Sequence, residues 1–401
     1  MTPLQIPRAH ERLFVRLADA ALLPLRAHRP SSRSGPVRRV LLMRLERIGD
    51  LLMVLDAIRD ARDCWPDAEI DLAVGAWNAE LAKLIPGVTT AHTVSVPWLA
   101  RDGPRESWSS LVRQGRLWRD RRYDIVVNFE PDIRSNFLAW LTDAPIRAGY
   151  SSGGGGAFLT DATTYAASSH VSTNARELIA RAAGPEHSGL RTSGLRTEDR
   201  GLTLRLPEAA REKACALVGA VPRPLIGVHV SGGRESKQWH LDRFAGVARR
   251  LAAEVGATIV LTGSAADREM VGRVEQKLDR MPIVNLAGAL TLTDLAALLE
   301  QLDVLVTGDT GPMHLAGAVG TPVVALFGPS DPARYGPIGS PSRVVRISLP
   351  CSPCGLVRLP PVRCRGHVPD CMDGISVTAV VEATLDLMRT TAAHHRTVTG
   401  A

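Results

Sequence analysis

The sequence predicts an α/β protein with two Rossmann-like domains that face each other across a cleft. Short apolar runs alternate with helical stretches, which is typical of parallel sheets. Two such series occur in the 401 residues, one from Val40 and one after Pro224, and a chain of this length exceeds the usual size of one domain. Ligands of such sheets bind beyond the carboxyl ends of the strands, so we expect the functional site in the cleft between the domains.

The apolar runs also place the individual elements. Buried strands are expected at 40–43, 70–74, 124–129, 225–230, 258–261, 283–286, 304–307 and 323–327. Helices are expected at 51–64 and 242–255. The resulting order is a basic helix and linker at 1–36, a Rossmann-like domain at 37–205, a linker at 206–222, a second Rossmann-like domain at 223–345, and a cysteine-rich segment with a C-terminal helix at 346–401.

Most of the positive charge lies in the first 40 residues. They hold eight arginines against two acidic residues, which accounts for +6 of the formal net charge of +7. Leu13, Phe14 and Leu17 recur there at helical spacing, and Pro24 should end the helix because proline cannot donate the next backbone hydrogen bond. Such a basic amphipathic helix either lies on an anionic membrane surface or packs on the protein, and amphipathicity does not discriminate between the two.

The composition excludes several classes of protein. Hydrophobic residues make up 45% and charged residues 22%, as in ordinary globular proteins. The sequence has no apolar run of about 18 residues, and its arginine-containing N-terminus is unlike a secretory signal, so we expect a cytoplasmic protein. The rest of the chain is nearly neutral and has no nucleic-acid recognition motif, which argues against a nucleic-acid partner. Neither G-x-G-x-x-G nor G-x-x-x-x-G-K-[ST] follows a strand, so a dinucleotide dehydrogenase or a P-loop ATPase is not expected.

The segment VTGDTGPMHLAGAVGTPVVALFGPSDP at 306–332 combines a strand, a tight turn and the start of a helix. The turn contains Asp309, Thr310 and Gly311, and Pro312 is favoured in a first helical turn. Because the amides and the dipole at a helix start attract phosphate, one interpretation is a phosphate site. The other is a plain turn capped by Asp309 or Thr310.

A second constellation, GVHVSGGRESKQWHLDRF at 227–244, also follows a predicted strand. Its Ser-Gly-Gly loop lets the backbone approach a ligand, and Lys237 could reach a phosphate as a point charge. The chain has only four lysines among its 48 basic residues, so a lysine at this position suggests a need for a compact ammonium. The alternative is a solvated surface lysine.

A third constellation, RLERIGDLLMVLDAIR at 44–59, places Gly49 and Asp50 at a strand-to-helix turn. A carboxylate at the head of this helix, facing the cleft, could accept a proton from an acceptor hydroxyl. The alternative is that Asp50 only caps the helix.

Together these segments resemble glycosyltransferase family 9, the heptosyltransferases of lipopolysaccharide core assembly. The similarity covers about 38–375 and extends to YDIVVNFEPDIRS (123–135), IRAGY (146–150), VLTGSAADRE (260–269) and NLAGALTLTDLAALL (285–299). It implies a GT-B fold, an inverting transfer and no metal requirement. It also implies a nucleotide-sugar donor, with ADP-heptose favoured, and a glycan or glycolipid acceptor, which suits peripheral association with the inner membrane.

The resemblance assigns roles to individual residues. Asp50 is the general base, and Arg134 lies on the acceptor side of the cleft. The donor diphosphate and its departing charge are held by residues of the C-terminal domain: Ser231, Gly232, Arg234, Lys237, Asp309, Thr310, Gly311 and His314. The chain departs from the family at Glu46 and Arg47, where a small hydroxyl residue is usual, and this departure bears on the identity of the two sugars.

Four of the six cysteines lie together in a stretch rich in proline and glycine: Cys351, Cys354, Cys364 and Cys371. In a cytoplasmic protein the spacing C-x2-C-x9-C-x6-C suggests a structural zinc site before it suggests disulfides. The resembling family often carries a similar CSPC segment that does not serve catalysis, so free thiols are the alternative.

Two other functions fit the same fold. A GT-B-like sugar-nucleotide epimerase would use Asp50 on the donor itself and would consume donor without an acceptor. A non-catalytic sugar-nucleotide-binding protein would bind the donor and form no product. The Glu46–Arg47 pair keeps this last alternative open, whereas Asp50 and Lys237 weigh against it.

Overall fold

The computed structural model describes residues 9–22, 35–99, 107–185, 204–278 and 281–399. The chain divides into two compact units, unit 1 (Met1–Gly194) and unit 2 (Leu195–Ala401). No helix in the described part of the chain combines the length and the apolar composition that crossing a bilayer requires.

Unit 1 is built around one parallel sheet. Its strands are β1 (Arg39–Arg44), β2 (Glu69–Gly75), β3 (Thr90–Val94), β4 (Ile125–Asn128), β5 (Ile146–Tyr150) and β6 (Asp161–Thr163). Its helices are α1 (Ala9–Ala21), α2 (Ile48–Leu52), α3 (Leu55–Cys64), α4 (Ala79–Ala82), α5 (Trp108–Asp120), α6 (Ile133–Leu141) and α7 (Val171–Ala183). The strand order across the sheet is β3-β2-β1-β4-β5-β6.

Unit 2 repeats this architecture. Its strands are β7 (Leu225–His229), β8 (Thr258–Thr262), β9 (Ile283–Asn285), β10 (Val304–Gly308), β11 (Val323–Leu326) and β12 (Ser342–Val345), in the order β12-β11-β10-β7-β8-β9. Its helices are α8 (Glu208–Val218), α9 (Leu241–Val255), α10 (Arg268–Glu275), α11 (Leu292–Glu300), α12 (Gly311–Ala318), α13 (Pro332–Tyr335), α14 (Asp370–Asp373) and α15 (Val377–Thr399). Within the residues assigned to a linker, α8 packs on α11, where Arg211 Nε donates to Glu300 Oε2 at 2.7 Å.

In each sheet the strand order reverses beside the first strand, and we call this position the switch point of the sheet. In unit 1, β1 lies between β2 and β4, and in unit 2, β7 lies between β8 and β10. Because the connections leave this point in opposite directions, a crevice opens beyond the carboxyl ends of β1 and β4, and likewise of β7 and β10. The predicted α/β class with two Rossmann-like halves is therefore confirmed.

The eight strands expected from the sequence are all present, with ends within one residue of the expected positions. They form continuous apolar runs because a parallel sheet covered by helices buries both faces of its strands. The structure adds β3, β5, β6 and β12. Three of these lie at sheet edges and are partly exposed, and in β5 Arg147 and Gly149 interrupt the apolar run.

The prediction of one continuous helix at 51–64 is wrong in two respects, because the helical region begins earlier and is divided into two helices. The structure begins α2 at Ile48 and separates it from α3 at Met53 and Val54. Asp50 therefore lies inside the first turn of α2.

The N-terminal helix is present as α1 and packs on unit 1. Val15 is buried, and Asp19 Oδ1 accepts a hydrogen bond from the amide of Gly155 at 2.6 Å. Pro24, which is expected to end this helix, and the linker up to residue 34 lie outside the described residues.

One buried carboxylate stabilises the core of unit 1. The Asp71 side chain on β2 is fully buried, and its Oδ2 accepts hydrogen bonds from the Tyr123 hydroxyl at 2.6 Å and from Arg121 Nη2 at 2.9 Å, with His92 Nε2 at 3.1 Å. Burial alone would raise the pKa of Asp71, but the hydrogen bonds to these three side chains lower it to about 2. The carboxylate therefore stays ionised and contributes stability at neutral pH.

Candidate active site

Asp50 lies directly after β1, in the first turn of α2. Its Oδ2 accepts a hydrogen bond from the Arg47 amide at 3.1 Å. Its Oδ1 lies 3.4 Å from Arg44 Nη2, and Arg44 Nε donates to the Asp50 carbonyl oxygen at 3.2 Å. The side chain is 26% exposed. One carboxylate oxygen thus caps the helix while the side chain stays open to solvent, so capping and proton transfer are compatible in this geometry.

Arg44 is a buried charge that links the carboxyl ends of β1 and β4. Its side chain is 4% exposed, its Nη1 donates to the Phe129 carbonyl oxygen at 2.6 Å, and its Nη2 lies 3.0 Å from Glu46 Oε2. Burial alone would lower the pKa of Arg44, but the nearby carboxylates of Glu46 and Asp50 raise it above its ordinary value. Arg44 therefore stays charged and holds the Asp50 carboxylate in place.

Glu130 is a buried acid beside this cluster, two residues after β4. Its Oε1 accepts a hydrogen bond from the Leu45 amide. Burial raises the pKa of Glu130 to about 8; Glu46 adds to this effect and Arg44 opposes it. The carboxyl is therefore mostly protonated at neutral pH. Sequence reasoning missed Glu130, although an acidic residue directly after a buried strand could have indicated it.

Arg134 lies in the first turn of α6, after β4. Asp132 fixes it in place, because Asp132 Oδ1 accepts hydrogen bonds from the Arg134 amide at 2.8 Å and from Arg134 Nε at 2.9 Å. The guanidinium lies 4.8 Å from the centre of the Trp98 ring, and Trp98 stacks on Trp108 with ring centres 5.5 Å apart. Arg134 therefore presents a cation beside an aromatic pair.

The charged pair at which the chain departs from the family is bound into the fold. The Glu46 carboxylate pairs with Arg44, and the Glu46 carbonyl oxygen accepts a hydrogen bond from Trp77 Nε1 at 2.6 Å. The Arg47 guanidinium lies 4.6 Å from the centre of the Trp77 ring and donates to the carbonyl oxygen of Leu99. The pair thus ties the loop after β1 to the segments that follow β2 and β3.

In unit 2, Lys237 and Asp309 meet beyond the carboxyl ends of β7 and β10. Lys237 Nζ donates to the Asp309 carbonyl oxygen and lies 3.2 Å from Asp309 Oδ2. The two side chains are 18% and 12% exposed, so Lys237 is not a solvated surface lysine. The two segments that the sequence indicates for phosphate binding are therefore adjacent.

The loop after β7 runs close to the turn that carries Lys237. A Cβ at Gly232 would lie 2.7 Å from the backbone nitrogen of Gln238, so a side chain cannot be accommodated without moving the backbone. The Gly232 amide donates to Gln238 Oε1 at 2.8 Å. Ser231 and Arg234 flank this loop and are both partly buried.

The side chain of Thr310, the cap residue of α12, does not bond the amides at the start of that helix. The Thr310 hydroxyl lies 3.1 Å from the Thr307 hydroxyl and donates to the Gly308 carbonyl oxygen at 3.3 Å, instead of bonding an amide of the helix. First-turn amides have no partner within a helix, so the start at Gly311 can receive an anion. His314 lies further along the same helix and is buried. A plain capped turn does not describe this arrangement.

The four cysteines for which the spacing suggests a zinc site differ in burial. Within the described residues, no three side chains of His, Cys, Asp or Glu are grouped so as to hold a metal ion. Cys371 packs in the core of unit 2, whereas Cys351 and Cys354 are exposed and Cys364 is only partly buried. Burial raises the pKa of the Cys371 thiol to about 11, and the other three cysteines add to the effect.

Comparisons with known proteins point to one family. The model of glycosyltransferase family 9 (heptosyltransferase) matches residues 111–357. Lipopolysaccharide heptosyltransferase 2 of Salmonella typhimurium is 26% identical over 77% of this chain and 88% of its own length. The structure of a family 9 glycosyltransferase from Veillonella parvula has a TM-score of 0.71 at 24% identity, covering 88% of this chain and 98% of that one. Escherichia coli ADP-heptose lipopolysaccharide heptosyltransferase II has a TM-score of 0.68 at 21% identity, covering 88% and 99%. These likenesses confirm the predicted GT-B fold.

Proposed function

The chain belongs to glycosyltransferase family 9, the heptosyltransferases, and we propose that it transfers a heptose, or a related sugar, from an ADP-sugar to the lipopolysaccharide core or another glycan or glycolipid. The names of the Salmonella and Escherichia relatives support this donor and this acceptor. The observation that carries the proposal is the contrast between the two switch points. One holds a partly exposed carboxylate, Asp50, and the other holds an ammonium group, Lys237, beside an open helix start.

Asp50 is the proposed general base. It takes the proton of the acceptor hydroxyl as the hydroxyl oxygen attacks the anomeric carbon of the donor sugar. The new bond forms on the face opposite the leaving group, and the bond from the anomeric carbon to the phosphate oxygen breaks with its electron pair going to the nucleoside diphosphate. The anomeric configuration is therefore inverted. Asp50 lies before the residues that the family model matches, so its role rests on its position after β1 and its contacts with Arg44.

Unit 2 is the proposed donor site. Lys237, Arg234 and the amides at the start of α12 stabilise the negative charge that develops on the leaving diphosphate. We expect no divalent cation to be required, because these groups already supply positive charge at the phosphate. Ser231 and Gly232 bring the backbone of the loop after β7 close to the donor.

Arg134 is the proposed acceptor contact in unit 1. Its guanidinium can pair with an anionic group of the acceptor, and the ring of Trp98 beside it can pack on a sugar face. We also propose that the enzyme works in the cytoplasm.

The test is a binding and turnover experiment with ADP-, UDP-, GDP- and TDP-sugars. A donor at about 100 times its Kd should raise the free energy of unfolding by roughly 2.7 kcal/mol. Lys237→Ala should lose most of this stabilisation. Lys277→Ala is the matched control, because Lys277 is an exposed lysine of the same unit that pairs with Asp242.

The outcomes separate the candidate functions. Stabilisation by ADP-heptose, with ADP released only when an acceptor is present, would support the proposal. Stabilisation by a different nucleotide sugar alone would contradict the proposed donor. Consumption of donor without an acceptor would indicate an epimerase, and donor binding without any product would indicate a non-catalytic protein.

A further inference from the structure

The helix α1 packs on the rest of unit 1 through the face that carries Val15 and Asp19. Val15 is 7% exposed and lies so close to the backbone of Gly154 that a Cβ there would be 2.2 Å from Val15 Cγ1. One turn further along, Asp19 accepts the hydrogen bond from the Gly155 amide. Residues four apart lie on the same side of a helix, so Val15 and Asp19 define the docked face.

The other face of α1 is apolar and exposed. Leu13 is 61% exposed, Phe14 is 70% exposed and Leu17 is 63% exposed, the highest values for large apolar side chains in the described part of unit 1. Spacings of three and four residues place these side chains together on one side of the helix. An exposed, contiguous apolar face of this kind marks an interaction surface.

The first 40 residues, which contain α1, carry a net positive charge. Arg16 is exposed, and the first 40 residues carry eight arginines against two acidic residues. One of those two, Asp19, is turned toward Gly155 on the docked face. A partner for this surface must therefore offer both an apolar interior and negative charge, which is the chemistry of a bilayer with anionic phospholipids.

We propose that the Leu13–Phe14–Leu17 face of α1 binds the surface of an anionic phospholipid membrane, with its apolar side chains inserted among the acyl chains and the exposed Arg16 on the phosphates. The inference stands independently of the sugar that is transferred.

The docked face of α1 connects this surface to the proposed acceptor site. The loop at Gly154 and Gly155 is held by Asn136 of α6, whose Nδ2 donates to the Gly154 carbonyl oxygen at 2.9 Å. Arg134 lies two residues before Asn136 on the same helix. Membrane binding through α1 would therefore hold the start of α6, with Arg134, near the bilayer surface.

The test is flotation of the full chain with vesicles of phosphatidylcholine alone and of phosphatidylcholine mixed with phosphatidylglycerol. The variant replaces Leu13, Phe14 and Leu17 by alanine, which removes apolar area and keeps the helix, because alanine is the best helix former. The matched control is Val362→Ala, a side chain that is 80% exposed in unit 2. Wild type and control should float with the anionic vesicles, and the partition coefficient of the triple variant should fall at least about 100-fold.

Three outcomes would overturn the proposal. The wild type could fail to float with anionic vesicles, or the triple variant could float as well as the wild type. Sedimentation could instead show a wild-type dimer that the triple variant loses, which would make a second copy of the chain the partner of this face. The vesicles contain no sugar acceptor, so none of these results depends on the transfer reaction.

Discussion

Replacing Glu130 by glutamine should remove a pH dependence that the buried carboxyl imposes on the stability of unit 1. Glutamine keeps an oxygen that can accept the hydrogen bond from the Leu45 amide, and it has no proton to lose. In the wild type, the carboxyl ionises near pH 8 in the folded protein and near its ordinary value of 4.5 in the unfolded chain. Between these two values the folded chain therefore binds one more proton than the unfolded chain.

The sign follows from that extra proton. The free energy of unfolding of the wild type should fall as the pH rises through the window, because unfolding then releases the proton. The distance from 4.5 to about 8 corresponds to as much as about 5 kcal/mol when the whole window is crossed. Wild type and Glu130→Gln should be about equally stable at the acid end, and the variant should be the more stable protein at the alkaline end.

Urea unfolding at several pH values between about 4.5 and 8.5 measures this difference. Tryptophan fluorescence reports mainly on unit 1, which contains six of the seven tryptophans. Glu208→Gln, at a side chain that is 77% exposed, is the control for loss of a negative charge. A difference between wild type and Glu130→Gln that does not change with pH would refute the reasoning, because Glu130 would then be ionised in the folded protein throughout.

Three further predictions concern the proposed base, the core and the donor loop. Asp50→Asn should lower kcat by on the order of 10²–10⁴ and leave the donor Kd unchanged, whereas the control Asp56→Asn on α3 should change neither kcat nor the donor Kd. Steady-state kinetics and calorimetry measure the two quantities, and near wild-type turnover in Asp50→Asn would exclude Asp50 as the base. Asp71→Asn should lower the free energy of unfolding by about 2 kcal/mol at neutral pH. The difference from wild type should shrink as acid protonates the wild-type carboxylate from about pH 4 towards 2, and equal stability of the two proteins at pH 7 would contradict the prediction. Gly232→Ala should weaken donor binding in calorimetry, since its Cβ would collide with the backbone of Gln238, and an unchanged Kd would show that the loop does not need this close approach.

The central strands could be predicted because burial on both faces requires an apolar sequence, whatever the rest of the fold is. Each central strand of a covered parallel sheet must be apolar at nearly every position, and the runs at β1, β4, β7 and β10 show this directly. The edge strands β3, β6 and β12 keep exposed positions and were missed, whereas the fourth edge strand, β9, was found because it begins with two apolar β-branched residues.

Part of the candidate site was predictable from turns, and part was not. Asp50, Lys237 and Asp309 each stand near a glycine that follows a predicted strand, which is a local signal. Arg44 has no such glycine beside it, and the local signal of Glu130 is only that an acidic residue follows a buried strand. The importance of both residues depends on which carboxylates and backbone groups the fold brings around them.

The sequence of α1 could show an apolar stripe but not which face meets the protein. The docked face carries Val15 and a carboxylate, Asp19, whose partner is a backbone amide more than 100 residues away. The pattern of side chains in a sequence does not show which backbone amide a carboxylate will bind. The more apolar face, with Leu13, Phe14 and Leu17, is the one that stays exposed.

The two helix starts explain why equivalent positions of the two sheets suit opposite charges. At α2, Asp50 already bonds the Arg47 amide, so an anion arriving there would meet a carboxylate. At α12, the Thr310 hydroxyl bonds a preceding carbonyl oxygen, the first turn contains no acidic residue, and the nearby Asp309 carboxylate is paired with Lys237. A helix start favours an anion by about 0.3–1 kcal/mol. In unit 1 the Asp50 carboxylate is already that anion, whereas in unit 2 the start of α12 can bind the anion of a ligand. A proton acceptor therefore fits the switch point of unit 1, and a phosphate fits that of unit 2.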